Sequence, residues 1–177
     1  PTAGSVLVNK TPVGVYTKAV TSYLPDRMAL PTEFTAADAV SLYNDFFPDF
    51  DKAKADAMLA DLRIQAHDKI GAMSKGTQEK MQLCLTMSRA AKLYLLDEPL
   101  GGVDPAARDY ILQTILHNYS EDAALVLSTH LIGDIEKVLD EVIFLQNGKV
   151  LRQAAVDELR EETGMSVDAY FREAYKC

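Results

Sequence analysis

The feature that most constrains this 177-residue chain is an apolar run that ends on two adjacent carboxylates. Residues 93–96 read Leu-Tyr-Leu-Leu and are followed directly by Asp97 and Glu98. The run is too short for a helix and lacks alternation, which favours a strand covered on both faces of a parallel sheet. Open α/β sheets bind ligands at the carboxyl ends of their strands. The pattern therefore predicts a ligand site at Asp97 and Glu98.

Two further segments flank this strand. Upstream, residues 73–80 read Met-Ser-Lys-Gly-Thr-Gln-Glu-Lys, and downstream, residues 125–130 read Leu-Val-Leu-Ser-Thr-His. With residues 93–104 between them, this ordered trio resembles the signature motif, the Walker B strand with its D-loop, and the switch histidine of ATP-binding cassette (ABC) ATPases. The resemblance extends from Pro1 to about Lys149.

The resemblance implies an α/β fold with a P-loop NTPase-type parallel sheet core whose N-terminal part is missing. It also implies an inserted helical subdomain and a C-terminal β-hairpin with helices. The core is predicted at residues 1–31 and 75–153, the helical subdomain at residues 32–74, and the C-terminal helices at residues 154–177. The helical subdomain is the part expected to contact a membrane-spanning partner.

A Gly-rich phosphate loop is absent from the 177 residues. In P-loop ATPases the backbone amides and the Lys of this loop cradle the phosphates. The family places the loop ahead of a stretch that residues 1–9 resemble. We therefore expect a nucleotide-binding domain truncated before Pro1, which alone binds nucleotide weakly and does not hydrolyse it.

Cap and turn residues predict further elements. Thr35 and Asp38 form a relative of a capping box, and Pro48 ends the helix that they begin. Asp104 precedes a Pro as a helix N-cap, and Asn147 precedes a Gly as a hairpin turn. Other helices are predicted at residues 51–62, 77–91, 132–139, 156–162 and 166–176, strands at residues 5–8, 20–24, 124–128, 142–146 and 149–151, and a turn at residues 10–12.

Composition narrows the classes of function. With 48% apolar residues the chain can bury a substantial core. A net charge of −8 argues against nucleic acid as a partner, since nucleic-acid binders usually carry a basic patch. No apolar run approaches the roughly 20 residues of a membrane helix, so membrane association requires a partner. Cys84 and Cys177 lack metal-type spacing, which indicates a reduced compartment; Cys84 is predicted in the core and Cys177 at the surface.

The resemblance assigns chemistry to three residues near the strand ends. Asp97 is expected to bind Mg²⁺, usually through water. Glu98 is expected to act as general base or to position the water that attacks the γ-phosphate. His130 is expected to be the switch histidine that hydrogen-bonds the γ-phosphate. The alternatives are a strand-end cap for Asp97 and a solvated surface residue for Glu98.

Ser74, Lys75 and Gly76 form a predicted nucleotide-binding turn at a helix N-terminus, where free N–H groups and the helix dipole attract anions. In the family this turn faces the γ-phosphate held by the opposite protomer. Lys75 departs from the family's Gly, and it either adds a cation near the phosphates or points to solvent. The alternative for Ser74 is an ordinary N-cap.

Two aspartates complete the predicted site. Asp104 is the nucleotide-binding D-loop aspartate by resemblance, and it can cap a helix at the same time. Asp26 stands where the family usually has a Gln that couples Mg²⁺ to the membrane subunit. It is predicted to contact the metal, with a turn residue after Pro25 as an equal alternative.

The resemblance implies the ATP-binding and ATP-hydrolysing subunit of an ABC transporter, working with ATP and Mg²⁺. Such a subunit would dimerise with a second nucleotide-binding domain, identical or different, and energise a separate membrane permease from the cytoplasmic face of the membrane. Bacterial antibiotic and multidrug export subunits are the most similar subclass. The alternatives are a non-transport ABC ATPase, in DNA repair or at the ribosome, and a non-catalytic interaction module.

Overall fold

The described residues of this computed structural model fall into two units, which meet in sequence between Thr129 and His130. The structure describes residues 2–120 and 122–175, with only the backbone of residues 106 and 107. The first unit contains β1 (Leu7–Val8), β2 (Thr11–Pro12), α1 (Val15–Ala19), β3 (Thr21–Leu24), α2 (Ala36–Phe46), α3 (Lys52–Asp61), a 3₁₀ turn (Ile70–Ala72), α4 (Lys75–Met87), β4 (Leu93–Asp97), α5 (Pro105–Asn118) and β5 (Ala124–Ser128). The second contains α6 (Ile132–Ile135), a 3₁₀ turn (Glu136–Val138), β6 (Glu141–Gln146), β7 (Lys149–Ala155), α7 (Val156–Thr163) and α8 (Val167–Ala174).

A parallel sheet of order β3-β4-β5 forms the centre of the first unit. Leu24 pairs with Leu96, and Asp97 pairs with Ser128 one strand further on. The crossovers between these strands are helical, as parallel pairing requires. The predicted α/β class with a parallel core is confirmed, and the acidic pair lies at the carboxyl end of the central strand.

The described residues cover one face of this sheet more completely than the other. Tyr94 and Leu96 are 1% and 2% exposed, and α4 packs on their side, where the Ser22 hydroxyl donates to the carbonyl of Thr86 at 2.8 Å. On the other face Tyr23 and Val126 are more than half exposed. Leu93 and Leu95 on that second face are half-buried, so the expectation that residues 93–96 are covered on both faces is met only in part.

The helical region after β3 begins as its cap residues predict. The Thr35 hydroxyl accepts from the Asp38 amide at 3.2 Å, and the Asp38 carboxylate accepts from the Thr35 amide at 2.8 Å. Helix α2 ends at Phe46, two residues before Pro48. Helix α3 follows with Asp51 as its N-cap. These local hydrogen bonds satisfy amide groups that a helix start leaves without partners.

A buried arginine joins this helical region to the sheet. The Arg89 side chain is 2% exposed, and its Nε and Nη2 atoms donate to the two carboxylate oxygens of Asp49, each at 3.0 Å. The guanidinium also donates to the carbonyls of Thr21, at 2.6 Å, and Ala19, and it stacks on the Phe47 ring at 3.9 Å. The loop after α2 is thereby held against the start of β3.

The second unit is a hairpin packed on two helices. Its turn residues Asn147 and Gly148 have φ of 50° and 73°, as the predicted two-residue turn requires. Gly164, at φ of 66°, ends α7 in the left-handed conformation. The core of this unit consists of Ile132, Val142, Phe144, Ala154, Val156, Leu159 and Val167.

Several predicted boundaries differ from those observed. Thr11 and Pro12 pair with β1 as a short strand, because the turn lies at Asn9 and Lys10, which both have positive φ. Helix α4 starts at Lys75 rather than at residue 77, and α1 was not predicted. The end of the last predicted helix and Cys177 lie outside the described residues. The division into a core, an inserted subdomain and C-terminal helices stays a prediction.

No helix in the described part of the chain combines the length and the apolarity needed to cross a bilayer.

Candidate functional site

A cavity of about 430 Å³ lies at the carboxyl end of the central strand. Three segments line it: residues 24–28 from the last residue of β3 onward, the first turns of α4, and residues 97–99 with Gly101 at the end of β4. Four predicted site residues meet there, namely Asp26, Lys75, Asp97 and Glu98. The structure thus brings together residues that are up to 72 positions apart in the sequence.

Asp97 is fixed by the neighbouring strand. Its Oδ1 atom accepts a hydrogen bond from the Ser128 hydroxyl at 2.5 Å, and the two residues are register partners in the parallel ladder. A hydrogen bond from a hydroxyl to a carboxylate is short because the charge assists it. The other carboxylate oxygen is left for a cation or for the water that carries one.

Glu98 has an unusual backbone conformation. Its φ of 47° lies in the left-handed region, which costs a non-Gly residue about 1–2 kcal/mol. Its amide donates to the Ser128 carbonyl at 3.0 Å and to the Ser128 hydroxyl at 3.3 Å, and its carbonyl accepts from the Gly101 amide at 2.9 Å. A Cβ at Gly101 would lie 3.1 Å from that carbonyl oxygen. The tight turn after the strand therefore leaves little room for a side chain at 101, and it places Glu98 at the cavity.

Asp26 lies in an exposed turn that Gln82 holds in place. The Gln82 side chain donates to the carbonyls of Pro25 and Arg27, at 3.3 and 3.4 Å, and accepts from the Ala29 amide at 2.9 Å. Gln82 itself is only 4% exposed. The turn that carries Asp26 is thus tied to α4 by a side chain that the sequence did not single out.

Ser74 caps α4 in this structure. Its hydroxyl accepts from the Thr77 amide at 3.2 Å and is hydrogen-bonded to the Thr77 hydroxyl at 2.8 Å. The N-cap reading of Ser74 is therefore observed, and its contact with nucleotide stays a prediction. Gly76 has open space around it, since no atom lies within 4 Å of the Cβ that an alanine would add.

Lys75 is exposed but is not isolated. Its side chain is 77% exposed, and Nζ lies 3.5 Å from Oε1 of Glu79. The same ammonium lies 3.0 Å from the position of a Cβ at Gly102, whose φ is 72°. The exposed side chain agrees with the alternative that Lys75 points to solvent, and its contact with phosphates stays a prediction.

The remaining predicted residues lie at element boundaries. Asp104 is exposed and directly precedes α5, as its predicted capping position requires. His130 is exposed and is the first residue of the second unit. The convergence of His130 with Glu98 stays a prediction.

The donor set of the cavity is compatible with Mg²⁺ delivered by a nucleotide. Mg²⁺ prefers oxygen ligands, keeps several waters and is usually held by one or two carboxylates together with substrate phosphates. Asp97 and Asp26 supply carboxylates to one cavity, whereas the described residues contain no cluster of three or more His, Cys, Asp or Glu that could hold a metal alone. The site can thus contribute ligands to a metal but does not enclose one.

Sequence reasoning missed two residues of this site. Ser128 lies within the motif at residues 125–130, but the sequence marks it only as the end of a strand. Gln82 is a polar residue at a buried helix position, and such a residue usually has hydrogen-bond partners. That signal could have identified it, although not its partners.

Comparisons with known proteins agree with this geometry. Residues 1–101 match the protein family described as ABC transporter. The ABC transporter ATP-binding protein YtrB of Bacillus subtilis (strain 168) is 27% identical over 141 residues, which cover 79% of this chain and 48% of YtrB. The Nod factor export ATP-binding protein I of Rhizobium sp. (strain N33) is 24% identical over 170 residues, which cover 92% of this chain and 56% of that protein. The chain spans about half the length of these two relatives.

A solved structure described as the ATP binding subunit of an ABC transporter shares the fold. It superposes with a TM-score of 0.85 at 23% identity, and the match covers 99% of this chain and 78% of that one. At this identity the superposition is informative for the fold, and it agrees with the predicted P-loop NTPase-type class. Because the family match extends over residues 1–101 of 177, more than half of the sequence, the chain belongs to the ABC transporter family.

Proposed function

We propose that this chain is part of an ATP-binding and ATP-hydrolysing subunit that energises transport by a separate membrane permease. The observation that carries the proposal is the cavity at the end of β4, which Asp97 and Glu98 share with Asp26 and the start of α4. Relatives that bear the names of ATP-binding proteins support the same activity.

The two carboxylates after β4 have different tasks in this proposal. Mg²⁺, when bound, would neutralise charge on the β- and γ-phosphate oxygens. Asp97 would hold the ion, directly or through water, with the oxygen that Ser128 does not engage. Glu98 would accept a proton from the attacking water or orient that water, since a carboxylate at the cavity can act as a general base. Asp26 would contribute a second oxygen ligand from the opposite wall.

The turn at Ser74, Lys75 and Gly76 would bind the phosphates of a nucleotide held by a second domain. Ser74 can keep its cap while it does so, because a hydroxyl accepts through its lone pairs and donates through its proton. The helix α4 adds its N-terminal dipole, which favours anions. Asp104 and His130 would complete this shared site.

The proposed assembly consists of two nucleotide-binding domains, their bound MgATP and the membrane permease. Two nucleotide-binding domains, identical or different, would close around two MgATP, and both would attach to the permease on the cytoplasmic face of the membrane. The proposed core (residues 1–31 and 75–153) would carry the chemistry, the helical region (residues 32–74) would contact the permease, and residues 154–177 would form a C-terminal appendage. Phe46, which is 72% exposed at the end of α2, is a candidate contact on the helical region. No nucleic acid is needed as a partner.

The relative involved in Nod factor export supports export as the direction of transport. Export also agrees with the resemblance to bacterial antibiotic and multidrug export subunits that the sequence suggests. The transported molecule is recognised by the permease rather than by this chain in the proposed arrangement.

ATP hydrolysis by two forms of the protein tests the proposal. The 177-residue chain alone should hydrolyse ATP negligibly and bind it weakly, because it contains no Gly-rich phosphate loop. The same chain fused at Pro1 to the loop-bearing segment of a family member should hydrolyse MgATP. Glu98→Gln in the fusion should lower turnover by at least about a hundredfold while MgATP binding is kept.

The matched control is Glu161→Gln, at an exposed position of α7. It should retain the turnover of the parent fusion. A folded fusion that binds MgATP but turns over equally with Glu or Gln at position 98 would refute the proposed role of Glu98. Tight ATP binding by the unfused chain would refute its predicted inactivity.

A further inference from the structure

We propose that Ser128 is a positioning residue that orients both carboxylates of the site, Asp97 through its side chain and Glu98 through its main chain. The inference rests on the proposed function, because it concerns how the chain presents Asp97 to a divalent cation.

The first support is the geometry at the end of the two strands. The Ser128 hydroxyl lies 2.5 Å from Oδ1 of Asp97, and its oxygen also accepts from the Glu98 amide at 3.3 Å. The Ser128 carbonyl accepts from the same amide at 3.0 Å. One residue on β5 therefore contacts both site residues on β4.

The second support is the register of the sheet. Asp97 and Ser128 are paired in the parallel ladder, as are the four residue pairs that precede them. The ladder hydrogen bonds fix the distance between the two strands. The Ser128 hydroxyl, which is one carbon away from the backbone, is therefore held within hydrogen-bond distance of Asp97. A residue without a hydroxyl at this position leaves the Asp97 carboxylate to rotate among its staggered conformers.

The third support is the backbone at Glu98. Its left-handed φ of 47° persists only where surrounding contacts stabilise it, and the Ser128 carbonyl supplies one of these. That main-chain contact survives substitution of the Ser128 side chain. A side-chain variant removes only the longer of the two contacts to the Glu98 amide, at 3.3 Å, so it acts mainly on Asp97.

The chemistry of a metal ligand explains why orientation matters. Hydrogen-bond partners that fix a ligating carboxylate typically change metal affinity by 10- to 100-fold when they are removed. The site is partly open to solvent, where water competes for the same oxygen, so we expect the lower end of that range. Loss of the Ser128 hydroxyl should weaken cation binding about tenfold.

Threonine and valine at position 128 give a matched test. They have the same shape and both suit a strand, but only threonine carries a hydroxyl. The probe is Mn²⁺, titrated with saturating ADP into the fusion that carries the phosphate loop, with paramagnetic broadening of the backbone amide signals of residues 96–98 as the readout. Ser128→Thr should keep the parent titration midpoint, and Ser128→Val should raise it about tenfold. Ser41→Ala, at an exposed position of α2, should leave it unchanged.

The outcomes separate this inference from the proposed function. Loss of the broadening in Asp97→Asn, together with a raised midpoint in Ser128→Val alone, supports both. Loss in Asp97→Asn with equal midpoints for valine and threonine overturns the role of Ser128 and leaves the cation site standing. Broadening that is absent in the parent fusion, or unaffected by Asp97→Asn, overturns both.

Discussion

Asp49→Asn should destabilise the first unit, because it removes the negative charge that faces a buried cation. The Arg89 side chain is 2% exposed and the Asp49 side chain 26% exposed. Removing one partner of a buried ion pair costs about 3–5 kcal/mol, since the other charge remains in a poorly solvated place. Asp49 is partly exposed, and Arg89 keeps the carbonyls of Ala19 and Thr21 as acceptors. The expected loss of stability is therefore at the lower end, about 3 kcal/mol.

Urea unfolding followed by far-ultraviolet circular dichroism measures this loss, since the chain has no Trp. The control is Asp56→Asn, in an exposed pair with Lys52 whose side chains are 51% and 56% exposed. It should cost at most about 0.5 kcal/mol, because exposed helix pairs contribute little.

A double-mutant cycle with Arg89→Met completes the test. Once the guanidinium is absent, Asp49→Asn removes no further interaction with it, so the double variant should lose less than the sum of the single variants. An Asp49→Asn variant no less stable than Asp56→Asn, or strictly additive losses in the cycle, would refute the role assigned to the Arg89 contact.

Two further predictions concern the acid–base groups away from the site. Burial disfavours ionisation of Glu136, but hydrogen bonds from the Arg160 side chain and from the amides of Val167 and Asp168 outweigh it and lower its pKa below 4.5. This stabilisation is fully present above pH 4.5 and is lost as pH falls through the folded-state pKa. Glu136→Gln should therefore lower the urea midpoint at pH 7, the difference from the parent should shrink as the pH falls below 4.5, and a pH-independent difference would contradict the assignment. Burial raises the pKa of the Cys84 thiol to about 12, so in a Cys177→Ser background a thiol reagent at pH 8 should label Cys84 only after denaturation; rapid labelling of the folded chain would show that the thiol is accessible.

Local sequence was sufficient for most of the secondary structure. The capping box at Thr35 and Asp38, the strand at residues 124–128 and the turn at Asn147 were predicted and are observed. Caps and two-residue turns depend on groups within four positions of one another, so their geometry can be read from neighbouring residues. The order of the motifs along the sequence is likewise sufficient to indicate the family.

The tertiary structure decided which side chains support the site. Ser128 contacts Asp97 across 31 positions, and Gln82 holds the turn of Asp26 across more than 50. No periodicity specifies such partners, because a hydrophobic pattern gives the buried face of an element but not the element opposite. The same limit explains the partly open face of the sheet, since an apolar strand indicates burial without showing what covers each side. The sequence alone determined the elements and the acidic residues, whereas strand register and helix packing determined the contacts that orient them.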